Sequence, residues 1–253
     1  MAAAGFDSTW PYSHITPAIV VWNDPDRLWK LLKRIRPFFE TIAVNVQCDN
    51  PRDPGDDDTF AAAEEIADIL VTSRVAGFGD ATFGPDLLPR IKTKWTFKID
   101  ADEVPTDDLL RTLSWATWCA EHSFDTPRDA LWIPFRSWVE GQEYEERHAH
   151  LRLFETRLGW PAMLHSTPPS KRNALWQVPD GYFLHERSLD EMMQDYLRYY
   201  RVGLANSGWT EHNRLMMRSA CSGVAAVKGW AFVKNHAWWP EVLAAGYAGE
   251  DPE

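Results

Sequence analysis

Asp100 and Asp102 stand two residues apart in the stretch 94–104, KWTFKIDADEV. The residues before them, 95–99, alternate in character and read as a strand, so both carboxylates fall just past its C-terminal end. Residues two apart in an extended chain point to the same side, which would let both acids face one cavity. Two hard oxygen donors with room left for a diphosphate describe a site for Mg2+ or Mn2+. Short Asp-x-Asp runs are also common as solvated turns. Placement at the end of a fourth strand in an alternating series is what favours chemistry.

That series can be read upstream. Residues 15–22 (ITPAIVVW) form a short buried strand, and Asp24-Pro25-Asp26 supplies a cap and first turn. Leu28, Leu31, Leu32 and Ile35 then recur at helical spacing over 27–36. A second strand covers 41–46, followed by the acidic, turn-rich 49–58. Thr59 is expected to cap a helix over 60–69, leading into a strand at 70–73. A loop at 77–80, a short helix over 86–92, the acidic strand and a helix reaching about His122 complete the first half. Alternating strands and helices predict a mostly parallel sheet flanked by helices.

The second half differs. Strands are expected at 130–139 and 148–156, with the Glu-rich loop VEGQEYEER between them. Residues 160–174 read as Pro-rich loop, 182–184 as a short strand, and 188–202 as a helix. Ser188 with Glu191 three residues on is a capping box. A helical stretch over 211–219 precedes a Trp- and Ala-rich end. The chain reads as a single domain over 1–253, divided at about 123 and 203.

With 253 residues and a net charge of −11, the chain can bury a proper core and is a poor non-specific binder of nucleic acid. A local groove of Arg136, Arg147, Arg152, Arg157, Lys171 and Arg172 would be needed for that. The count of 14 Trp is unusual; most are expected as core or half-buried fillers, and some as candidates for stacking on a sugar or a base. No apolar run reaches the ~20 residues of a membrane helix, and no membrane partner is expected. Met1–Ser8 has no basic-then-apolar leader, and the three scattered cysteines suit a reducing compartment. A cytoplasmic location is expected.

The strand–helix–strand start, the strand ending Asp-Ala-Asp-Glu, the Leu151-Arg152-Leu153-Phe154 strand and the His185-then-helix element together resemble glycosyltransferase family two. The resemblance covers about residues 15–200. It implies a GT-A-like, Rossmann-like α/β fold with a mixed acceptor-side part. It also implies transfer of a sugar from a nucleotide-diphospho sugar such as a UDP-sugar to an acceptor hydroxyl, with inversion. The acceptor would be a glycan, a small molecule or a modified nucleic-acid base, the last in the manner of a bacteriophage enzyme. The second strand departs from the family's compact acidic turn, ending instead VNVQCDNPRDPGDDD.

On the same resemblance Asp102 would bind Mn2+ or Mg2+ directly, while Asp100 would meet the ribose, or the metal through water. His185 would supply a third metal ligand, with His165 a weaker rival. Asn23, Asp49 and Asp80 would contact the nucleoside, and Arg90 and Lys94 the diphosphate. Glu103 would either support the metal site or simply precede the next helix. An inverting transfer needs a carboxylate base, for which Glu140 and Glu145 are the first choices. Two other readings compete. A nucleotidyltransferase would want a Gly-rich loop after the first strand, where this chain has WNDPDR. A Trp-rich carbohydrate- or base-binding protein would use no catalysis at all.

Overall fold

The structure, a computed structural model, describes residues 9–52, 57–74, 80–162, 167–175, 181–194, 196–197 and 210–244. The chain forms two compact units, one of Met1–Phe135 with Arg147–Leu184, the other of Arg136–Glu146 with His185–Glu253.

In the first unit β1 (Ile15–Val21) is buried along its whole length, as a central parallel strand must be. Asp24 caps α1 (Pro25–Ile35) by accepting the Arg27 N–H at 3.3 Å, and Leu28, Leu31, Leu32 and Ile35 form its buried face. β2 (Ala43–Cys48) follows. The next helix, α2 (Asp58–Glu64), is shorter than expected and is capped by Asp57, which accepts from the Thr59 and Phe60 N–H groups at 2.8 and 3.2 Å. Thr59, the expected cap, is buried within the first turn. After β3 (Ile69–Arg74) comes α3 (Asp80–Thr82), which continues through a wide π-type turn, Phe83–Leu87, and a tight 3-10 turn, Leu88–Arg90. This replaces the regular helix expected over 86–92. Pro85 and Pro89 each lack an N–H and clash with the preceding turn, so the segment cannot stay regular.

β4 (Trp95–Asp100) and β5 (Glu103–Pro105) flank the acidic turn, and Thr106 caps α4 (Asp107–His122). The remaining strands are β6 (Ala130–Val139), β7 (Gln142–Glu155), β8 (Asn173–Leu175) and β9 (Phe183–Arg187). The sheet order is β3-β2-β1-β4-β7-β6-β9-β5, with β8 beside β6. β3, β2, β1 and β4 are mutually parallel, and β7 joins β4 antiparallel. The mostly parallel α/β sheet with a mixed second part is therefore as expected. The chain runs outward from β1 to β3 and then returns to the far side of β1. The order thus reverses between β1 and β4, the place where open α/β sheets bind ligands at their carboxyl ends.

The sheet has two differently filled faces. Ile15, Ile19, Val44, Val46, Trp95, Phe97 and Ile99 pack with α1 and α4 in the larger core. Ala18, Val20 and Ala43 pack instead with Phe83, Leu87, Leu88, Phe154 and Trp160. Gly84 permits this second layer, because a Cβ there would lie 2.1 Å from the Trp160 carbonyl oxygen. Gly84→Ala is accordingly expected to destabilise the protein by about 1–3 kcal/mol through overpacking. An unchanged midpoint in urea would show that the backbone yields instead.

The Glu-rich loop expected over 140–147 is corrected to a two-residue turn. Glu140 and Gly141 have φ of 52° and 76°, the positive pair of a type I′ hairpin turn, whose twist suits the flanking strands. β7 therefore begins at Gln142, well before the expected 148.

The second unit has its own core, in which Leu189, Met193, Cys221, Val233, Trp238 and Val242 are buried. The capping box is present: Ser188 N–H donates to Glu191 Oε2 at 2.8 Å, and Glu191 N–H to Ser188 Oγ at 3.2 Å. The helix Thr210–Lys228 is longer than the expected 211–219, and Trp230–Lys234 and Trp239–Ala244 follow it. Burial pushes the Cys221 thiol up to about 12, so it serves as a core residue. Among the described residues no helix is long and apolar enough to cross a membrane.

Candidate active site

β1 and β4 bring their carboxyl ends together because Val20 pairs with Asp100. Asn23 lies just past β1, exposed and in the left-handed region at φ 49°, a conformation Asn tolerates better than most residues. Asp24 follows with Arg27 Nη1 3.5 Å from its carboxylate. Burial raises the Asp24 carboxyl, Arg27 opposes the rise, and the negative charge of Asp102 adds to it. The two acids, one from each strand end, are thus electrostatic neighbours.

Asp100 is the pivot of a network of four ionisable side chains. Its Oδ1 accepts from Lys98 Nζ at 2.8 Å and its Oδ2 from Arg152 Nη2 at 2.6 Å. The same Arg152 nitrogen donates to Glu103 Oε1, and Glu103 Oε2 accepts the Asp100 N–H at 2.9 Å. Lys98, Arg152 and Glu103 are buried, while the Asp100 side chain is 37% exposed and opens outward. Burial pushes the Asp100 carboxyl up, but Arg152 and Lys98 overcome this and hold it well below the ordinary carboxylate range. Glu103 moves the other way, because burial raises it more than Arg152 lowers it.

The Asp100–Glu103 hydrogen bond closes a turn whose tip is Ala101-Asp102, so Asp102 does not continue an extended strand as its spacing suggests. It sits half-buried at the tip, aimed by the turn rather than by β4. Glu103 also precedes α4, whose cap is Thr106, accepting the Leu109 N–H at 3.3 Å. Lys98 and Glu103 are the members sequence reading undervalued. The signal for Lys98 was its place two residues before Asp100, on the same side of the strand.

The other expected groups are placed as follows. Asp49 is exposed at the carboxyl end of β2, on the same sheet edge as Asp100. Asp80 begins α3, but its side chain lies outside the described residues. Arg90 ends the 3-10 turn, exposed. Lys94 precedes β4 and so stands at the opposite edge, where it pairs with Glu121 of α4 at 2.7 Å. A strand of that length rises about 3.3 Å per residue, which separates Lys94 from the acidic end. His185 belongs to the second unit, and its Nε2 receives the Arg187 Nε–H. His165 lies outside the described residues. Among the described residues no three His, Cys, Asp or Glu side chains converge to hold a metal ion.

Glu140 is fully engaged within the second unit. Its Oε1 accepts the Leu189 N–H at 2.9 Å and its Oε2 the Lys228 ammonium at 2.8 Å. The Lys228 hydrogen bond, followed by that from Leu189, lowers its carboxyl, which makes it a weaker base. The side chain of Glu145 lies outside the described residues.

No family model and no curated protein matches the chain. Among solved structures, S. aureus TarS 1–349 in complex with UDP-GlcNAc is similar at a TM-score of 0.46 and 12% identity, over 91% of this chain and 79% of that one. Mannosyltransferase PcManGT from Pyrobaculum calidifontis, in complex with GDP-Man and Mn2+, is similar at 0.43 and 16%, over 92% and 79%. At such scores the overlap says nothing of chemistry, which has to be read from the residues.

Proposed function

We propose that this chain is a GT-A-type, metal-dependent glycosyltransferase that moves a sugar, with inversion, from a nucleotide-diphospho sugar to an acceptor hydroxyl. The observation that carries the reading is the acidic turn at the reversal of strand order, with Asp100 clamped by two cations and Asp102 presented at the tip. The donor set fits Mn2+ or Mg2+. Both are hard ions that keep water and substrate oxygens and need only one or two protein carboxylates. Asp102 would hold the ion and Asp100 the ribose, since both Asp100 oxygens already carry cationic donors. His185 could serve as a ligand only if its Nε2 left Arg187, because while Nε2 accepts that hydrogen bond the neutral ring carries its proton on Nδ1. When bound, the ion supplies Lewis-acid stabilisation of the leaving diphosphate.

The chain's own residues bind and orient. Asn23 and Asp49 stand at the same sheet edge as Asp100 and are the candidates to meet the nucleoside. Trp22, 52% exposed beside Asn23, offers a flat face. Of the two acids expected as base, Glu140 has both oxygens taken, which leaves Glu145 to receive the acceptor proton. Glu145→Gln is expected to slow transfer while sparing nucleotide binding, whereas Glu140→Gln should mainly lower the melting temperature. Equal transfer rates in wild type and Glu145→Gln would move the base elsewhere. The acceptor is a glycan, a small molecule or a modified base, and the setting cytoplasmic.

The test is a thermal-shift panel of nucleotide-diphospho sugars with and without Mn2+, followed by donor hydrolysis. A ligand of the native state raises the melting temperature by mass action. A panel with no Mn2+-dependent shift would defeat the reading. Binding without hydrolysis or transfer would favour the non-catalytic alternative.

A further inference from the structure

We propose that Lys98 is a positioning residue, whose ammonium is braced against the faces of Phe83 and Trp160 and fixes the Asp100 carboxylate before any nucleotide arrives. This rests on the glycosyltransferase reading, because it concerns how that site is held ready.

Lys98 is 4% exposed beside the apolar cluster that holds Phe83, Phe154 and Trp160. A leucine or methionine there would pack without desolvating a charge, and replacing buried ions by apolar groups is often neutral or stabilising. Stability alone therefore gives little reason for a lysine. Its geometry gives a better one. Nζ lies 5.6 Å from the Phe83 ring centroid and 5.3 Å from that of Trp160, within the ~6 Å range of cation–π attraction.

Those rings are themselves fixed. Phe83 and Trp160 meet edge to face at 5.2 Å, Trp160 leans on Phe154 at 5.3 Å, and the Trp160 backbone abuts Gly84. The ammonium that results sits 2.8 Å from Asp100 Oδ1. Arg152 holds the other oxygen but is shared with Glu103. Two donors on two different oxygens set the plane of the carboxylate, so its outward edge has one orientation. A positioned acceptor of this kind does not have to be ordered by the ligand it receives.

The experiment is a double-mutant cycle on binding of a nucleoside diphosphate with Mn2+, by calorimetry. UDP, GDP, ADP and CDP are the probes, and the tightest is carried forward. Lys98→Met fits the aromatic box and should weaken binding about tenfold, the size of one hydrogen bond to a charged group. Asp100→Asn should weaken it by a similar factor. The double variant should bind no worse than Asp100→Asn alone, because Lys98 acts through Asp100. Should Lys98→Met not fold, Lys98→Gln carries the same cycle.

Wild-type affinity in the Lys98 variant would overturn the proposal. So would factors that multiply in the double variant, the pattern of a purely structural lysine. A wild-type protein that binds no diphosphate overturns both this role and the functional reading, whereas the other two outcomes leave that reading intact.

Discussion

Alanine at Asp102 should leave the protein folded and cut sugar transfer on the order of a thousandfold. A bound divalent ion contributes several kcal/mol of stabilisation to charge developing on a leaving diphosphate, and about 4 kcal/mol corresponds to that factor. Asp102 is half-buried at a turn tip and belongs to neither core, so its loss opens no cavity. Asp100→Asn should be milder, because an amide still accepts a hydrogen bond from a ribose hydroxyl. The measurement is transfer at saturating Mn2+ alongside thermal unfolding. Activity within tenfold of wild type in Asp102→Ala would remove the ion from this carboxylate.

Arg152→Met is expected to have the largest effect on stability. Removing one partner of a buried ion pair costs about 3–5 kcal/mol while the other stays charged, so the melt is read at a pH above the Glu103 carboxyl, which burial raises to about 8. Here the stranded group is chiefly Glu103, whose side chain is 5% exposed, while Asp100 at 37% retains water and Lys98. For a chain of this size that corresponds to a fall in melting temperature on the order of 10 °C. Arg152→Lys should recover part of it, because one ammonium cannot reproduce the guanidinium fork. A melt within two or so degrees of wild type, ~1 kcal/mol or less, would mean that Glu103 is folded as a neutral acid and needs no partner.

How much of this was legible depends on what each residue answers to. α1 and β4 could be read because their side chains obey a local period, β1 and β6 because each is a largely apolar run, and Asp24 and Ser188 because their caps lie within three residues. The parallel order followed from alternation. The cap of α2 was misplaced by two residues since Asp57, Asp58 and Thr59 are all competent, and the choice is made by the burial of Thr59. The hairpin turn was missed for a different reason. Glu is a poor residue at positive φ, and what holds Glu140 there comes from Leu189 and Lys228, far along the chain. Lys98 was not among the expected site residues. Only the folded chain lays Phe83 and Trp160 over it, and no local pattern announces such a lid. The acidic pair was visible, but its division of labour was not, because Arg152 and Glu103 reach Asp100 from separate strands.

β4 also bears on how the chain avoids a wrong fold. Trp95, Phe97 and Ile99 enter one core, while Lys98 reaches the opposite layer. Sliding the strand by a single residue against β1 would exchange the two sets. It would thrust an ammonium among Phe39, Phe135 and Phe183, and leave Asp100 facing apolar side chains without its cations. Neighbouring registers are therefore far apart in energy, and the strand has one resting place. An inserted or deleted residue between Ile91 and Lys94 could not be taken up by slippage along β4. It would have to be absorbed in those few residues, or the sheet would lose its centre.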